Sequence, residues 1–134
     1  MTARASNWPT LLAEFIDERR AMPFAWGQND CATFAADWVL KASGNDLAAS
    51  FRGRYRTPLG AMRMLKPAGG VIGIAGGDCR LREIDVKRAG RGDILARMTP
   101  TGPALGICLG NVAAFVGPVG LIFASDNPMR CWTF

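Results

Sequence analysis

The stretch "FAWGQNDCATFAADWV", residues 24–39, decides the fold expected for this chain of 134 residues. Starting at Cys31, apolar residues recur at intervals of three and four, which places them on one face of an α-helix. These residues are Cys31, Phe34, Ala35, Trp38, Val39 and Ala42. Asn29 or Asp30 suits the cap of the first turn, and Gly44 suits the end of the helix. The pattern therefore predicts a buried helix that begins with a cysteine.

A cysteine in the first turn of a helix is a candidate nucleophile, because unpaired N–H groups and the helix dipole stabilise a thiolate. Asp30 would cap and orient this turn. The alternative is that Cys31 is a small core residue, since it also lies on the apolar face of its own helix. A nucleophilic cysteine needs a general base, and the chain contains no histidine. Asp93 and Asp126 follow in the last third of the chain, but a carboxylate with a pKa of about 4 is a poor base for a thiol.

The first half of the chain carries further helix signals. Helices are predicted at residues 6–20 and 57–65, each with a capping residue followed by proline, and a short helix is considered at 46–51. The glycine pairs at 69–70 and 76–77 are expected to form turns, and no lysine follows them as it would in a phosphate-binding loop.

After Gly90 the chain changes to short apolar runs separated by Gly, Pro, Asn or Asp. The runs are "GDILARM", "ALGICLG", "AAFVG", "GLIFA" and "RCWTF". They predict an antiparallel sheet, so the expected fold class is α+β, with N-terminal helices packed on a C-terminal sheet in one domain, residues 1–134. Residues 98–125 carry no charge, yet glycine and proline divide them into strands, and no membrane span is expected. Whether the strands at 104–124 form only core or also an interface stays open.

The charge pattern raises a second hypothesis. The net charge is +5, with 16 Lys and Arg against 11 Asp and Glu, which leaves a nucleic-acid or anionic partner open. Arg52, Arg54 and Arg56 alternate around Tyr55, as in a basic patch with a stacking ring. A solvated loop and a solubilising surface are the favoured interpretations, and binding of nucleic acid is not expected.

The four cysteines do not indicate a metal centre. None forms a C-x-x-C pair, so no zinc site and no cofactor is predicted. Cys79, Cys108 and Cys131 are expected to be core residues. The N-terminus lacks the apolar core of a signal peptide, so synthesis and reduced thiols in the cytoplasm are the expectation.

Three motifs in this order resemble the NlpC-type cell-wall peptidase superfamily, whose fold is papain-like. They are the stretch around Cys31, "RGDILA" at residues 91–96 and "LGICLGN" at residues 105–111. "RGRY" at residues 52–55 and the ending "CWTF" are similar to a small phage-encoded branch of unknown function. The resemblance covers residues 24–134.

The resemblance implies a catalytic cysteine at Cys31, a histidine just before "LGICLG" and a third polar residue on the next strand. Ala104 occupies the histidine position, and the third position falls at Phe115 or Val116. Because a general base contributes about 10²–10⁴-fold to a rate, we expect severely reduced or absent peptidase activity.

Three function classes remain from the sequence. The leading one is a catalytically impaired structural or assembly component of a phage virion or tail module, made in the cytoplasm of a bacterial host and bound to other phage proteins. The second is an active cysteine hydrolase acting on peptidoglycan peptides, with a base supplied by an aspartate, water or a partner. The third is an arginine-rich nucleic-acid-binding module.

Overall fold

Helices occupy most of the first half of the chain, as predicted. The structure is a computed structural model that describes residues 3–77, 80–125 and 128–134. The α-helices of the described residues are α1 (Trp8–Arg19), α2 (Cys31–Ser43), α3 (Pro58–Leu65) and α4 (Gly70–Gly76). Short 3₁₀ helices follow α3 at Lys66–Ala68 and precede the main strands at Val86–Arg88.

The described strands form one antiparallel sheet with the order β1-β6-β2-β3-β4-β5. The strands are β1 (Arg82–Ile84), β2 (Ile94–Thr99), β3 (Gly102–Cys108), β4 (Ala113–Gly117), β5 (Gly120–Ala124) and β6 (Arg130–Thr133). Five of them are the apolar runs of the sequence, and β1 was not predicted. The α+β class, with helices before strands, is confirmed.

The main core lies between the helices and one face of the sheet. The predicted face of α2 is buried from Phe34 to Ala42, with Trp38 fully buried, and Cys31 at its start is partly exposed. This face packs against Leu105 and Ile107 of β3. A smaller apolar cluster, which includes Cys108 and Cys131, lies on the opposite face of the sheet, so these two cysteines are core residues as expected.

Hydrogen bonds to Gly92 and Asp93, at the start of β2, connect the sheet to α2 and to the N-terminal segment. The Gly92 carbonyl accepts a hydrogen bond of 2.8 Å from the Trp38 indole. The buried Asp93 carboxylate accepts hydrogen bonds from Arg4 at 2.5 Å and from Thr133 at 2.6 Å. The Arg4 guanidinium is enclosed between two aromatic rings, those of Trp8 and Phe134. The Gly-Asp pair of the "RGDILA" motif thereby fixes α2 against the sheet.

The structure differs from the sequence expectations at two places. Residues 47–51 form turns rather than the short helix considered at 46–51. The glycine pairs expected to form turns lie at the two ends of a helix, α4, which includes Gly70 and Gly76. Helix α4 exists despite its three glycines because Ile74 and Ala75 are buried in the core. A Cβ atom at Gly73 would overlap with the Ala68 carbonyl oxygen, so glycine is required there for the close approach of α4 to the preceding turn.

Residues 98–125 form strands and turns, as predicted. Across residues 3–77, 80–125 and 128–134, no helix has the length and apolar character that crossing a membrane requires.

Candidate functional site

The candidate site is centred on the first turn of α2. Asp30 is the N-cap: its carboxylate accepts a hydrogen bond from the Thr33 backbone N–H at 2.9 Å, and the Thr33 hydroxyl accepts one from the Asp30 backbone N–H at 2.9 Å. This reciprocal capping box satisfies two N–H groups that a helix start would otherwise leave unpaired. Asp30 is 2% exposed, so it acts as a buried, oriented carboxylate.

Two more donors reach the same carboxylate from outside the helix. The Gly27 backbone N–H donates to Asp30 Oδ2 at 2.9 Å, and the Tyr55 hydroxyl donates to the same oxygen at 2.5 Å. Gly27 has a φ of +79°, and a Cβ atom there would overlap with the Tyr55 carbonyl oxygen. Glycine is therefore required for the close approach of this turn to Tyr55.

The Cys31 thiol lies beside this carboxylate and is partly buried against the core. Burial raises the pKa of Cys31 above its ordinary value of 9.0, and the negative charge of Asp30 raises it further. The backbone N–H groups of Leu105, Ala32 and Cys31 itself act on the sulfur in the opposite direction, but burial is the largest effect. The N–H donors thus act as expected of a helix N-terminus, but burial acts against them and is the larger effect.

The Leu105 N–H can face the Cys31 sulfur because the pairing of β3 with β4 does not extend to Leu105. In the β2–β3 ladder the alternate residues Gly102, Ala104 and Gly106 direct their polar groups towards β2, so Leu105 directs its own towards β4. However, β4 pairs with β3 only at Ile107 and Cys108. The Leu105 N–H is therefore left outside the β3–β4 pairing, and it lowers the pKa of Cys31.

Ala104, the position of the implied histidine, directly precedes Leu105 and pairs with Arg97 of β2. Side chains alternate along a strand, so Ala104 shares its face with Gly106 rather than with Leu105, which packs against α2. Its methyl group cannot exchange a proton. At the implied third position, Phe115 is buried and Val116 is half-buried, and neither side chain has a polar atom.

The charges around Cys31 decide what the site can do. Among the described residues, the groups that influence the pKa of this thiol are the Asp30 carboxylate and three backbone N–H groups. None of these is a cation that would favour a thiolate. Burial and Asp30 also raise the pKa of Tyr55, so its hydroxyl stays protonated and donates to Asp30. At neutral pH the site therefore holds a protonated thiol beside an anionic carboxylate.

The residues of the predicted basic patch have different surroundings. Arg52 forms ion pairs with Asp37 at 2.5 Å and with Asp46 at 2.8 Å, and these carboxylates raise its pKa. Tyr55 is buried, so its ring is not exposed for stacking on a base, contrary to that hypothesis. Arg54 and Arg56 are exposed. The four residues thus do not form one basic surface, because Tyr55 is buried and Arg52 is paired with Asp37 and Asp46.

Sequence reasoning missed two parts of the site. Thr33 follows Asp30 by three residues, and this capping-box spacing could have revealed its role. Tyr55 is separated from Asp30 by 25 residues along the chain, and no local pattern indicates a hydrogen bond over that distance.

Metal binding has no candidate residues within the described parts of the chain, where no group of three or more His, Cys, Asp or Glu residues could hold an ion. Cys79 and Asp126, which were discussed as a core residue and as a weak base, lie outside the described residues.

Comparisons with known proteins give one family. No curated protein and no solved structure is significantly similar to the chain. A family model matches residues 3–134, which is nearly the whole chain. The chain therefore belongs to the family described as "Domain of unknown function (DUF6950)".

Proposed function

We propose that this chain is a papain-like, NlpC-type domain that has kept the cysteine of the nucleophile position without a base, and that it serves as a non-catalytic structural or assembly component of a phage virion or tail module. The observation that carries the loss of catalysis is the surroundings of Cys31. Burial and Asp30 raise the pKa of this thiol, and the chain has no histidine to take its proton. Cysteine hydrolases need the thiolate as nucleophile.

The arrangement of the motifs supports the proposed relationship. Cys31 opens a buried helix, and the helix packs on the strand that carries "LGICLG". The Gly92 carbonyl of the "RGDILA" motif accepts a hydrogen bond from Trp38 of the same helix. The three motifs that carry the resemblance are therefore in direct contact in space, although the phage context rests on the resemblance alone.

A deletion and complementation experiment tests this proposal. The coding sequence is deleted from the phage proposed to encode it, and infectious particles are counted after complementation with the wild type, Cys31→Ala or Cys31→Ser. We expect the deletion to reduce the titre and all three versions to restore it. An unchanged titre after deletion would overturn the role in assembly. Failure of both folded variants to complement would favour the second candidate, an active hydrolase.

The reactivity of the thiol separates these two candidates in vitro. Iodoacetamide labelling is followed against pH for the wild type and for Cys31→Ser, so that the difference reports Cys31 alone. We expect half-maximal ionisation above the ordinary value of 9.0, and no cleavage of purified muropeptides. Rapid labelling of Cys31 at neutral pH together with cleavage that Cys31→Ser abolishes would contradict the non-catalytic proposal.

A further inference from the structure

The segment between the second and fourth helices has an unusual charge distribution. Residues 47–77 contain no aspartate or glutamate and carry five cations: Arg52, Arg54, Arg56, Arg63 and Lys66. Arg52 is neutralised by Asp37 and Asp46. The other four are exposed and have no ion pair with a described residue. All charged side chains of residues 47–77 are therefore cationic.

Helix α3 exposes apolar side chains within this cationic region. Leu59 is 50% exposed and Met62 is 61% exposed, while Ala61 and Leu65 on the other side of the helix are buried. Leu59, Met62, Arg63 and Lys66 occupy positions i, i+3, i+4 and i+7, which form one continuous stripe on a helix. The stripe is thus apolar at its start and basic at its end.

A groove of about 700 Å³ runs along this stripe. Its lining consists of Leu59, Met62, Arg63, Lys66, Gly69 and Gly70. The two glycines have positive φ values of 93° and 74°, and without side chains they leave the end of the groove open. We call this surface, defined by its six lining residues, the α3 groove.

We propose that the α3 groove binds an acidic amphipathic helix of a partner protein. Such a helix presents apolar residues at i, i+3, i+4 and i+7, which fit the exposed Leu59 and Met62. Acidic residues on its flanks complement Arg63 and Lys66 in the groove and Arg54 and Arg56 on the preceding loop. The inference rests on the proposed function only in that a non-catalytic assembly component must bind a partner.

The composition of the surface favours a protein helix over the other anionic partners. Proteins that bind single-stranded nucleic acid combine cations with exposed aromatic rings, whereas Phe51 and Tyr55, the aromatic residues of the segment, are both buried. Helices that lie in a membrane interface have a long apolar face, whereas α3 has eight residues and exposes two large apolar side chains. A short apolar stripe with a cationic rim matches a helix-in-groove contact.

The probe is a displayed library of peptides of about 16 residues, roughly four helical turns. It is selected against the full chain, and the enriched peptides are then measured by fluorescence anisotropy. We expect enrichment of peptides with apolar residues at helical spacing and flanking Asp or Glu. Absence of enrichment, or enrichment without acidic residues, would overturn the proposal.

Matched variants locate the binding. Met62→Glu should weaken the binding of the enriched peptide by about tenfold or more, since a central apolar contact is lost. Met98→Glu is its control, because Met98 is similarly exposed, at 64%, on β2. Arg63→Glu/Lys66→Glu should also weaken binding by about tenfold, whereas Lys87→Glu/Arg88→Glu makes the same charge change away from the groove and should leave it within about twofold. Circular dichroism verifies that each variant is folded.

Two further probes distinguish the rival partners. Single-stranded DNA and vesicles of phosphatidylcholine with phosphatidylglycerol are titrated at moderate salt. The proposal would be overturned by tight binding to either one, if Arg63→Glu/Lys66→Glu abolishes that binding and Met62→Glu leaves it intact.

Phage complementation by Met62→Glu connects peptide binding in the groove to the proposed assembly function. If peptide binding is confirmed but deletion of the chain has no effect on titre, the proposal of a binding groove is supported and the assembly role is refuted. If the deletion reduces titre but no acidic peptide binds, the assembly role is supported and the binding groove is refuted.

Discussion

Replacing Tyr55 by phenylalanine removes one hydrogen bond to the Asp30 carboxylate and keeps the ring. The ring is buried, 6.2 Å from that of Phe51 between centroids, so phenylalanine leaves no cavity larger than an oxygen atom. A hydrogen bond to a charged group contributes about 1.5–3 kcal/mol. Asp30 retains donors from Gly27 and Thr33, so the carboxylate is not orphaned. We therefore expect the free energy of unfolding to fall by about 1.5–3 kcal/mol at neutral pH.

This loss converts into a shift of the melting temperature. An unfolding entropy of about 2.1 cal/mol/K per residue gives roughly 0.28 kcal/mol/K for the 134 residues, so Tm should fall by about 5–11 °C. Urea denaturation and thermal melts followed by circular dichroism measure both quantities. Arg54→Ala, an exposed neighbour, is the control and should stay within about 0.5 kcal/mol. A loss below about 0.5 kcal/mol for Tyr55→Phe would refute a buried hydrogen bond to a charged group.

The pH dependence of this difference gives a second measurement. Burial and the hydrogen bond to Asp30 raise the pKa of Tyr55 above its ordinary value of 10.0. Above that pH the unfolded chain loses the phenol proton and the folded chain keeps it, so the stability of the wild type falls as pH rises. The phenylalanine variant lacks this proton, and the stability difference should therefore narrow above about pH 10. A constant difference on both sides of that pH would contradict the burial of the hydroxyl.

Three further predictions concern the neighbouring structure. Arg4→Met should lower the free energy of unfolding by about 3–5 kcal/mol, because the buried Asp93 carboxylate loses its cation; a loss near zero in urea denaturation would contradict this. Gly27→Ala should cost about 2–4 kcal/mol, since its methyl group overlaps with the Tyr55 carbonyl oxygen, and an unchanged Tm would show that the turn can move. Burial raises the pKa of Cys131 from 9.0 to about 12, so wild-type stability should decrease across that range, and Cys131→Ala should flatten the decrease in a series of urea midpoints.

Each of these predictions has a matched control. Thr133→Val removes a neutral donor from Asp93 and should cost less than Arg4→Met. Gly53→Ala tests backbone strain alone, because Gly53 has a φ of +73° and no atom within 4 Å of its would-be Cβ; we expect about 1 kcal/mol. Cys108→Ala removes another buried thiol of the same apolar cluster, and it should leave the alkaline decrease in place.

The outcome for the helices shows what a local pattern can predict. The spacing of apolar residues in α2 and the residues Asp30 and Gly44 specify its face and both ends, because periodicity and caps act within one turn. Helix α4 was missed, since glycine disfavours a helix by itself. The burial of Ile74 and Ala75 stabilises it, and this burial is a property of the assembled core.

For the candidate site, the sequence by itself determined the position of Cys31 at a helix start, the absence of histidine and the lack of acidic residues around α3. Only the tertiary structure decided the state of the thiol, because burial outweighs the effect of the Leu105 N–H. It also placed Tyr55, expected in a surface patch, in a hydrogen bond with Asp30. The physical reason is the separation along the chain between the residues that interact. Caps and helical periodicity join residues a few positions apart, whereas desolvation and hydrogen bonds between distant segments exist only after the chain has packed.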